Sequence, residues 1–244
     1  MVREPAAVLS RAGLAAAALA VVDVLFPRLP PGPVWLEVAS LALVSIPLAT
    51  VCVRELLPLS VLPARALAGL SAAAVAVAAL LIVVGLDGLP ATIAKLVAAA
   101  LVGMALASLL ESTIEIVVIA LLIAAVDVYS VAAGPTKVIV EQHENVLNAF
   151  TLTFHPLGSS GIAQIGASDF IFFALFLASS ERLQLRMPLT WTAMTLSFGA
   201  TMALSYALDA ALPALPLLSL AFLGANADLL AARVGGSAGS PERD

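Results

Sequence analysis

Long apolar runs alternate along this chain with short polar segments. Eight runs of roughly twenty residues lie near 8–27, 34–53, 66–86, 91–110, 113–133, 160–180, 189–209 and 212–232. About 20 apolar residues in a helix suffice to cross the hydrocarbon core of a bilayer. The breaks carry prolines, glycines and charges, as at residues 87–90 (Asp-Gly-Leu-Pro), which is typical of turns. The pattern predicts about eight transmembrane helices, or nine if one run escapes the count.

One connection is long. Residues 134–159 form a loop whose middle, 138–154, is half apolar and predicts a surface segment, a short strand or a short helix. The chain is thereby predicted to divide into N-terminal scaffold helices (1–112), a membrane core (113–232) that includes the loop, and a flexible Gly/Ser-rich tail (233–244).

The amino-acid composition indicates that these apolar helices lie in a membrane. The chain is 62% hydrophobic and 11% charged, with a mean hydropathy of +1.10, whereas soluble domains carry about 25% charged residues. Lipid leaves only helices or a closed barrel as spanning structures. Unbroken Ala/Leu runs favour helices over the alternating strands of a barrel. The predicted fold class is an all-α polytopic membrane protein.

The charges and the single cysteine exclude several functions. The net charge is −5 and the basic residues are scattered, which argues against nucleic acid as a partner. Cys52 is the only cysteine, so neither an intrachain disulfide nor CxxC chemistry is available. The bilayer itself is the partner that the composition indicates.

The basic residues also predict an orientation. With eight spans, eight of the eleven Lys and Arg residues fall on one side: Arg3, Arg11, Arg54, Arg65, Arg182, Arg186, Arg233 and Arg243. Because cytoplasmic loops carry the excess of Lys and Arg, we expect both termini to be cytoplasmic, in the plasma (cell) membrane. The loop 134–159 then faces away from the cytoplasm.

Two aspartates, Asp127 and Asp169, interrupt otherwise apolar runs on either side of the long loop. A charge at the bilayer centre costs about 3 kcal/mol, so such residues usually face the protein interior and mark a site. The loop joins the two helices as antiparallel neighbours, and each aspartate lies toward the loop end of its helix. We therefore expect the two carboxyl groups to meet.

Two adjacent carboxyl groups can share one proton, which is the arrangement of aspartic proteases. One takes a proton from water while the other donates to the peptide carbonyl. Taken alone, two intramembrane acids indicate polar helix contacts, or a proton or cation relay, more often than a protease.

The residues around the aspartates add a resemblance. Residues 166–173 (Gly-Ala-Ser-Asp-Phe-Ile-Phe-Phe) resemble the Gly-x-Gly-Asp-Phe-x-Phe segment of presenilin and signal peptide peptidase, the intramembrane aspartyl proteases. Residues 213–216 reproduce the Pro-Ala-Leu-Pro motif of that family. Asp127, 42 residues before Asp169, and the Asp-Val-Tyr-Ser-Val that it begins are similar to the family's first aspartate segment. The resemblance covers about residues 113–232.

The resemblance implies a presenilin/signal peptide peptidase-like bundle, in a divergent prokaryotic-like member. It implies a catalytic pair, Asp127 and Asp169, without metal or organic cofactor. It also implies that membrane-spanning peptides are cleaved, with a substrate site shaped by Gly166, Ser168, Pro213, Ala214, Leu215 and Pro216. The loop-outside orientation resembles that of signal peptide peptidase and predicts type II substrates, such as leftover signal peptides. Nothing in the sequence indicates the oligomeric state.

The sequence departs from the family pattern at three points. Val126 stands where the family usually has Tyr, Ser168 replaces the second Gly, and four rather than five runs precede residue 113. Ser168 predicts altered cleavage efficiency or site choice, and Val126 bears on how active the pair is. The alternatives to a protease are a proton-coupled transporter and a catalytically inactive relative that binds membrane helices.

Two further patterns are weaker. Residues 158–161 (Gly-Ser-Ser-Gly) match the Gly-x-Ser-Gly of rhomboid serine proteases, which need a histidine on a later helix, and both histidines of this chain come earlier. The cluster Glu141, His143, Glu144 and His155 has no HExxH spacing, and is better explained as a solvated loop.

Overall fold

The computed structural model describes residues 5–86, 88–133, 149–210 and 212–237. Within these ranges the chain is almost entirely helical, which confirms the predicted predominance of helices. Lys137, Glu141, His143 and Glu144 of the long loop lie outside the described residues.

In the N-terminal part, the described residues include five α-helices. Helix α1 spans Pro5–Leu25, α2 Val34–Ser40, α3 Ile46–Leu56, α4 Ala64–Val83 and α5 Leu89–Ala107. One turn of π-helix, Leu41–Ser45, joins α2 to α3, and a 3-10 turn, Leu57–Val61, extends α3. Together these pieces form one long path from residue 34 to residue 61.

In the C-terminal part, the described residues include five long helices and one β-hairpin. Helix α6 spans Thr113–Ala133, α7 Ala167–Arg182, α8 Met187–Leu208, α9 Leu215–Ala225 and α10 Ala227–Ser237. Strands β1 (Thr151–Phe154) and β2 (Ala163–Gly166) pair antiparallel, with Thr151 opposite Gly166 and Phe154 opposite Ala163. Four of the described helices, α3, α5, α8 and α9, carry proline as their second residue. In α5, α8 and α9, which do not continue a preceding helical turn, no intrahelical N–H bond is lost there.

Among the residues that the structure describes, five segments are long and apolar enough to cross a membrane: Ala6–Arg28, Val34–Val61, Ala64–Val83, Leu89–Ala107 and Thr113–Val131. A sixth candidate combines α9 and the first part of α10, which are bent by 74° at Asn226. These helices are those of a membrane protein, and the total of eight spans stays a prediction.

Two of the predicted spans are corrected by the structure. The run 160–180 does not begin as a helix, because residues 163–166 pair with β1 and the helix starts only at Ala167. The run 212–232 is not one straight helix, because the chain bends at Asn226. The buried Asn226 side chain donates to Thr190 Oγ1 (2.8 Å) and to the Phe222 carbonyl (2.9 Å), and accepts from the Arg186 amide (3.0 Å).

Helix α7 is the centre of the bundle. Its sixteen residues rise about 24 Å, and most of them are buried. Stacked phenylalanines join it to its neighbours, with Phe170 on Phe198 of α8 (5.4 Å between ring centroids) and Phe176 on Phe222 of α9 (4.7 Å). On α5, Gly103 lets the backbones touch, since a Cβ there would lie 2.2 Å from the Ile171 carbonyl oxygen.

Arg54, Arg182 and Arg186 gather at one end of the bundle, which we call the arginine end. The Arg54 guanidinium lies 5.0 Å from the Trp191 ring centroid, near the start of α8. Arg182 donates to the Ser108 carbonyl (3.4 Å), just before α6 begins, and Arg186 forms a two-point salt bridge with Asp228 (2.7 and 2.6 Å). We call the opposite end, where β1 and β2 lie, the hairpin end.

Candidate active site

Asp169 is held by the junction between β2 and α7. The strand runs into the helix without a loop: Gly166 is the N-cap and Asp169 is the third helical residue. The carboxylate reaches back and accepts from the Gly166 amide, one half of a capping box. An acid in the first turn also faces the positive end of the helix dipole. The local sequence therefore fixes the orientation of this half-buried side chain.

Gly166 is needed for space rather than for an unusual backbone. Its φ of −59° and ψ of 135° are open to other residues. A Cβ at this position, however, would lie 3.1 Å from Ser168 Oγ and 3.3 Å from Asp169 Oδ2. The structure thus places Gly166 directly against the carboxyl group of Asp169.

Asp127 is held by the start of α9. The backbone N–H of Leu215 donates to Asp127 Oδ2 at 3.0 Å. Leu215 is the first residue of α9, where an N–H has no partner within the helix. The Pro-Ala-Leu-Pro segment therefore starts a helix whose first free donor points at the carboxylate.

Both aspartates line one cavity of about 800 Å³. Its wall includes seven of the eight site residues predicted from the sequence: Asp127, Asp169, Gly166, Ser168, Pro213, Ala214 and Leu215. Pro216, the eighth, is the second residue of α9 and is not among the described lining residues. The charge of Asp127 acts on Asp169 across this space, so the two carboxyl groups are close enough to repel each other when both are ionised.

The cavity wall also includes residues that the sequence did not single out. Val38 and Leu41 come from α2 and the π-helical turn, while Phe198, Thr201 and Met202 come from α8. A π-helical turn has no recognisable pattern in an apolar sequence, and these side chains are of the types that pack in any membrane helix. The sequence therefore offers no reason to assign them to the site. The N-terminal part of the chain thus contributes to the site itself.

The two departures from the family pattern both line the cavity. Ser168 is exposed to it from the first turn of α7, and Val126 precedes Asp127 on α6. The Val126 side chain is 57% exposed and that of Tyr129 is 67% exposed. Room for a larger side chain is therefore present next to Asp127.

Two buried groups of α5 hold strand β1. Lys95, 6% exposed, donates from Nζ to the Thr151 carbonyl at 2.9 Å. Thr92 Oγ1 accepts from the Thr153 amide at 3.4 Å. Because Thr151 pairs with Gly166, these bonds position the N-cap that holds Asp169.

The residues after β1 are held by the N-terminal segments. Asp23 of α1, 6% exposed, accepts from the His155 amide (2.9 Å) and lies 3.0 Å from His155 Nδ1. Ser40 Oγ accepts from the Leu157 amide at 3.1 Å, and the Phe26 carbonyl accepts from the Gly158 amide at 2.8 Å. At Gly158 the φ is +70°, and a Cβ would lie 2.4 Å from the Pro30 carbonyl oxygen. We call this set the hairpin anchor: Asp23, Ser40, Thr92, Lys95 and His155.

The weaker patterns take other places. Residues 158–161 form the connection between the strands, where Ser159 Oγ accepts from the Gly161 amide at 3.1 Å. His155 bonds Asp23, and in the part of the chain that the structure describes no three His, Cys, Asp or Glu residues are grouped to hold a metal ion.

Comparisons with known proteins add no relative to this site. No family model matches the chain, and no curated protein matches it.

Proposed function

We propose that this protein is an intramembrane aspartyl endopeptidase with Asp127 and Asp169 as its catalytic pair. The observation that carries the proposal is the meeting of both aspartates in one cavity, where each accepts a backbone N–H from one of the two motifs around them. No Lys, Arg or His of the described residues lines that cavity. The carboxyl groups therefore face each other rather than a fixed cation.

The reaction follows from a shared proton. The ionised carboxylate removes a proton from water, whose oxygen attacks the peptide carbonyl carbon, while the protonated carboxyl donates its proton to the carbonyl oxygen. The tetrahedral intermediate collapses with the C–N bond breaking: the carboxyl that took the proton from water gives it to the leaving amine, and the other carboxylate takes back a proton from a hydroxyl of the intermediate. The pair ends with one proton, as it began, so neither metal nor organic cofactor is required.

The hairpin offers a place for an extended substrate. A helical peptide shields its amides in its own hydrogen bonds, so the scissile segment has to unwind. All four residues of β2 line the cavity and lead to Asp169. A substrate backbone lying along this strand would present its carbonyl next to the pair, in the manner of strand addition.

The proposed substrates are membrane-spanning peptides of type II orientation, including leftover signal peptides. The gathering of Arg54, Arg182 and Arg186 at one end of the bundle supports an arginine end in the cytoplasm. The C-terminus then lies on the cytoplasmic side of the cell membrane, and the hairpin end faces away from the cytoplasm. Reporter fusions after residue 237 and within the loop 134–148 test this orientation, and a C-terminal reporter active outside would contradict it.

The decisive experiment uses purified protein with a model membrane-spanning peptide. Asp127→Asn and Asp169→Asn should each abolish cleavage, and a transition-state analogue of peptide hydrolysis should bind the wild type alone. Asp209→Asn is the matched control, because Asp209 is exposed and has a φ of 48°, a region that asparagine readily adopts. Cleavage by both active-site variants would refute the pair. Flux driven by a pH gradient without any cleavage would favour the transporter, and binding of the peptide without either activity would favour an inactive relative.

A further inference from the structure

The helices around the cavity provide a common depth scale. Helices α6 and α8 start at the arginine end, and α7 ends there. At 1.5 Å per residue, Asp127 lies about 21 Å from the start of α6 at Thr113 and Asp169 about 20 Å from the end of α7 at Arg182. Thr201, also in the cavity wall, lies about 21 Å from the start of α8. The pair and Thr201 therefore share one level.

Below that level, toward the arginine end, the wall is apolar. Leu122, Ile123, Phe172 and Phe198 lie about 14 to 17 Å from that end by the same measure. Among the described residues, no polar side chain lines this half. Water there would find no hydrogen-bonding side chain.

Above that level, toward the hairpin end, polar side chains enter the wall. Ser130, Ser205 and Tyr206 lie about 26 to 29 Å from the arginine end. Gln164 joins them from β2. Val131 and Leu212 also reach this half, so its wall is mixed rather than polar throughout.

We propose that water reaches the aspartate pair from the hairpin end, past Ser130, Gln164, Ser205 and Tyr206, while the half toward the arginine end holds the apolar part of the substrate. Water is retained where several polar groups can bond it and is excluded from apolar cavities. The pair stands where the two halves meet. The assignment of a substrate to the apolar half rests on the proposed function, whereas the water path does not.

Cysteine labelling tests the path without requiring catalysis. A Cys52→Ala background removes the only native thiol. Single substitutions Ser130→Cys, Ser205→Cys and Tyr206→Cys then sample the polar half, and Leu122→Cys, Phe172→Cys and Phe198→Cys sample the apolar half. A charged, membrane-impermeant methanethiosulfonate is applied to oriented vesicles from either side. It reacts only with a thiolate and therefore needs water at the position.

We expect the three polar-half variants to react at least about tenfold faster than the three apolar-half variants, and only from the hairpin side. Glu111→Cys and Ser160→Cys mark the two sides, since both residues are exposed near opposite ends of the bundle. Equal rates in both halves, or labelling of the polar half from the arginine side, would overturn the proposal. Variants that do not fold are recognised by loss of the thermal transition, and are replaced by Gln164→Cys in the polar half and Ile123→Cys in the apolar half.

The same labelling in an Asp127→Asn background separates this proposal from the proposed function. An unchanged polar-half pattern in this variant would show that the water path does not depend on a functional aspartate pair. The same pattern in a wild type that cleaves no membrane-spanning peptide would support the water path and reject the protease. An intact protease with equal labelling in both halves would reject the water path alone.

Discussion

Two groups of ionisable residues lie inside the apolar helices of this protein, and their surroundings differ. Asp23 and Lys95 are each buried against the hairpin, with Asp23 on His155 and Lys95 on the Thr151 carbonyl. Asp127 and Asp169 instead share a cavity, each with a backbone N–H and with the other's charge. A charge in a membrane helix thus indicates a site only once its partner is known. A buried charge matched by a partner holds structure, whereas two like charges facing a cavity are available for chemistry.

The largest expected effect is the loss of peptide cleavage when Asp127 or Asp169 is replaced. Asp127→Asn and Asp169→Asn should reduce cleavage on the order of 10³-fold or more, because neither amide can exchange a proton with water or substrate. Both variants should keep their melting temperature, since the amide oxygen can still accept the backbone N–H and a like-charge repulsion is removed. Peptide cleavage and thermal unfolding in the same detergent measure the two properties. A fall of several degrees in melting temperature would place these aspartates with the structural group.

The opposite result is expected at Asp23. Asp23→Ala should destabilise the protein by about 3 kcal/mol, because it leaves His155 and its amide without their buried acceptor. Asp23→Asn keeps an acceptor for the His155 amide and should lose clearly less. Thermal unfolding compares the two variants. Equal losses would mean that the charge, and not the hydrogen bond, carries the contact.

Lys95 should behave as the second member of the anchor. Lys95→Met retains the apolar stem and removes the ammonium, leaving the Thr151 carbonyl without that donor, at a cost of about 1 to 3 kcal/mol. Because Thr151 pairs with Gly166, cleavage should fall together with stability. Lys95→Arg supplies a donor again and should recover part of both. If stability falls while activity per folded molecule stays unchanged, the Lys95 bond to the hairpin does not position Asp169.

A smaller and more local effect is expected at Gly166. Gly166→Ala brings a methyl group to 3.1 Å from Ser168 Oγ and 3.3 Å from Asp169 Oδ2, so the carboxyl group has to shift by a few tenths of an ångström. We expect cleavage to fall by about tenfold with little change in unfolding temperature, since misplacing reacting groups costs rate more than stability. Gly69→Ala is the control, because a Cβ there meets no atom within 4 Å.

The smallest effect is expected at Ser168. Ser168→Gly restores the family residue but places glycine in the first turn of α7, which costs about 0.5 to 1 kcal/mol. The enlarged cavity should shift the position of cleavage by mass spectrometry more than it changes the total rate. An unchanged product pattern would show that this side chain does not touch the substrate.

The sequence predicted the helices and the aspartate pair, and the reasons lie in short-range patterns. Apolar runs of fixed length indicate helices, and the motifs at Asp127, Asp169 and residues 213–216 are each local. The helix predicted at 160–180 was wrong at its start because the strand Ala163–Gly166 depends on a partner strand nine or more residues away. Asp23 and Lys95 were visible as charges in apolar runs, but their partners lie 132 and 56 residues along the chain. The hydrophobic periodicity of the sequence does not predict contacts between residues so far apart.

The hairpin anchor has a consequence for biosynthesis. A ribosome adding about 5 to 20 residues per second needs roughly 7 to 26 s to pass from Asp23 to His155, its partner 132 residues later. During that interval the nascent chain holds Asp23 and Lys95 in apolar helices before the hairpin exists. The N-terminal half is therefore an assembly intermediate in which neither Asp23 nor Lys95 has yet made its hydrogen bond to the hairpin, and it is open to chaperones and membrane quality-control proteases. Arrival of the hairpin supplies both bonds at the moment when Asp169 is oriented, so that survival of the new chain and completion of its site depend on one event.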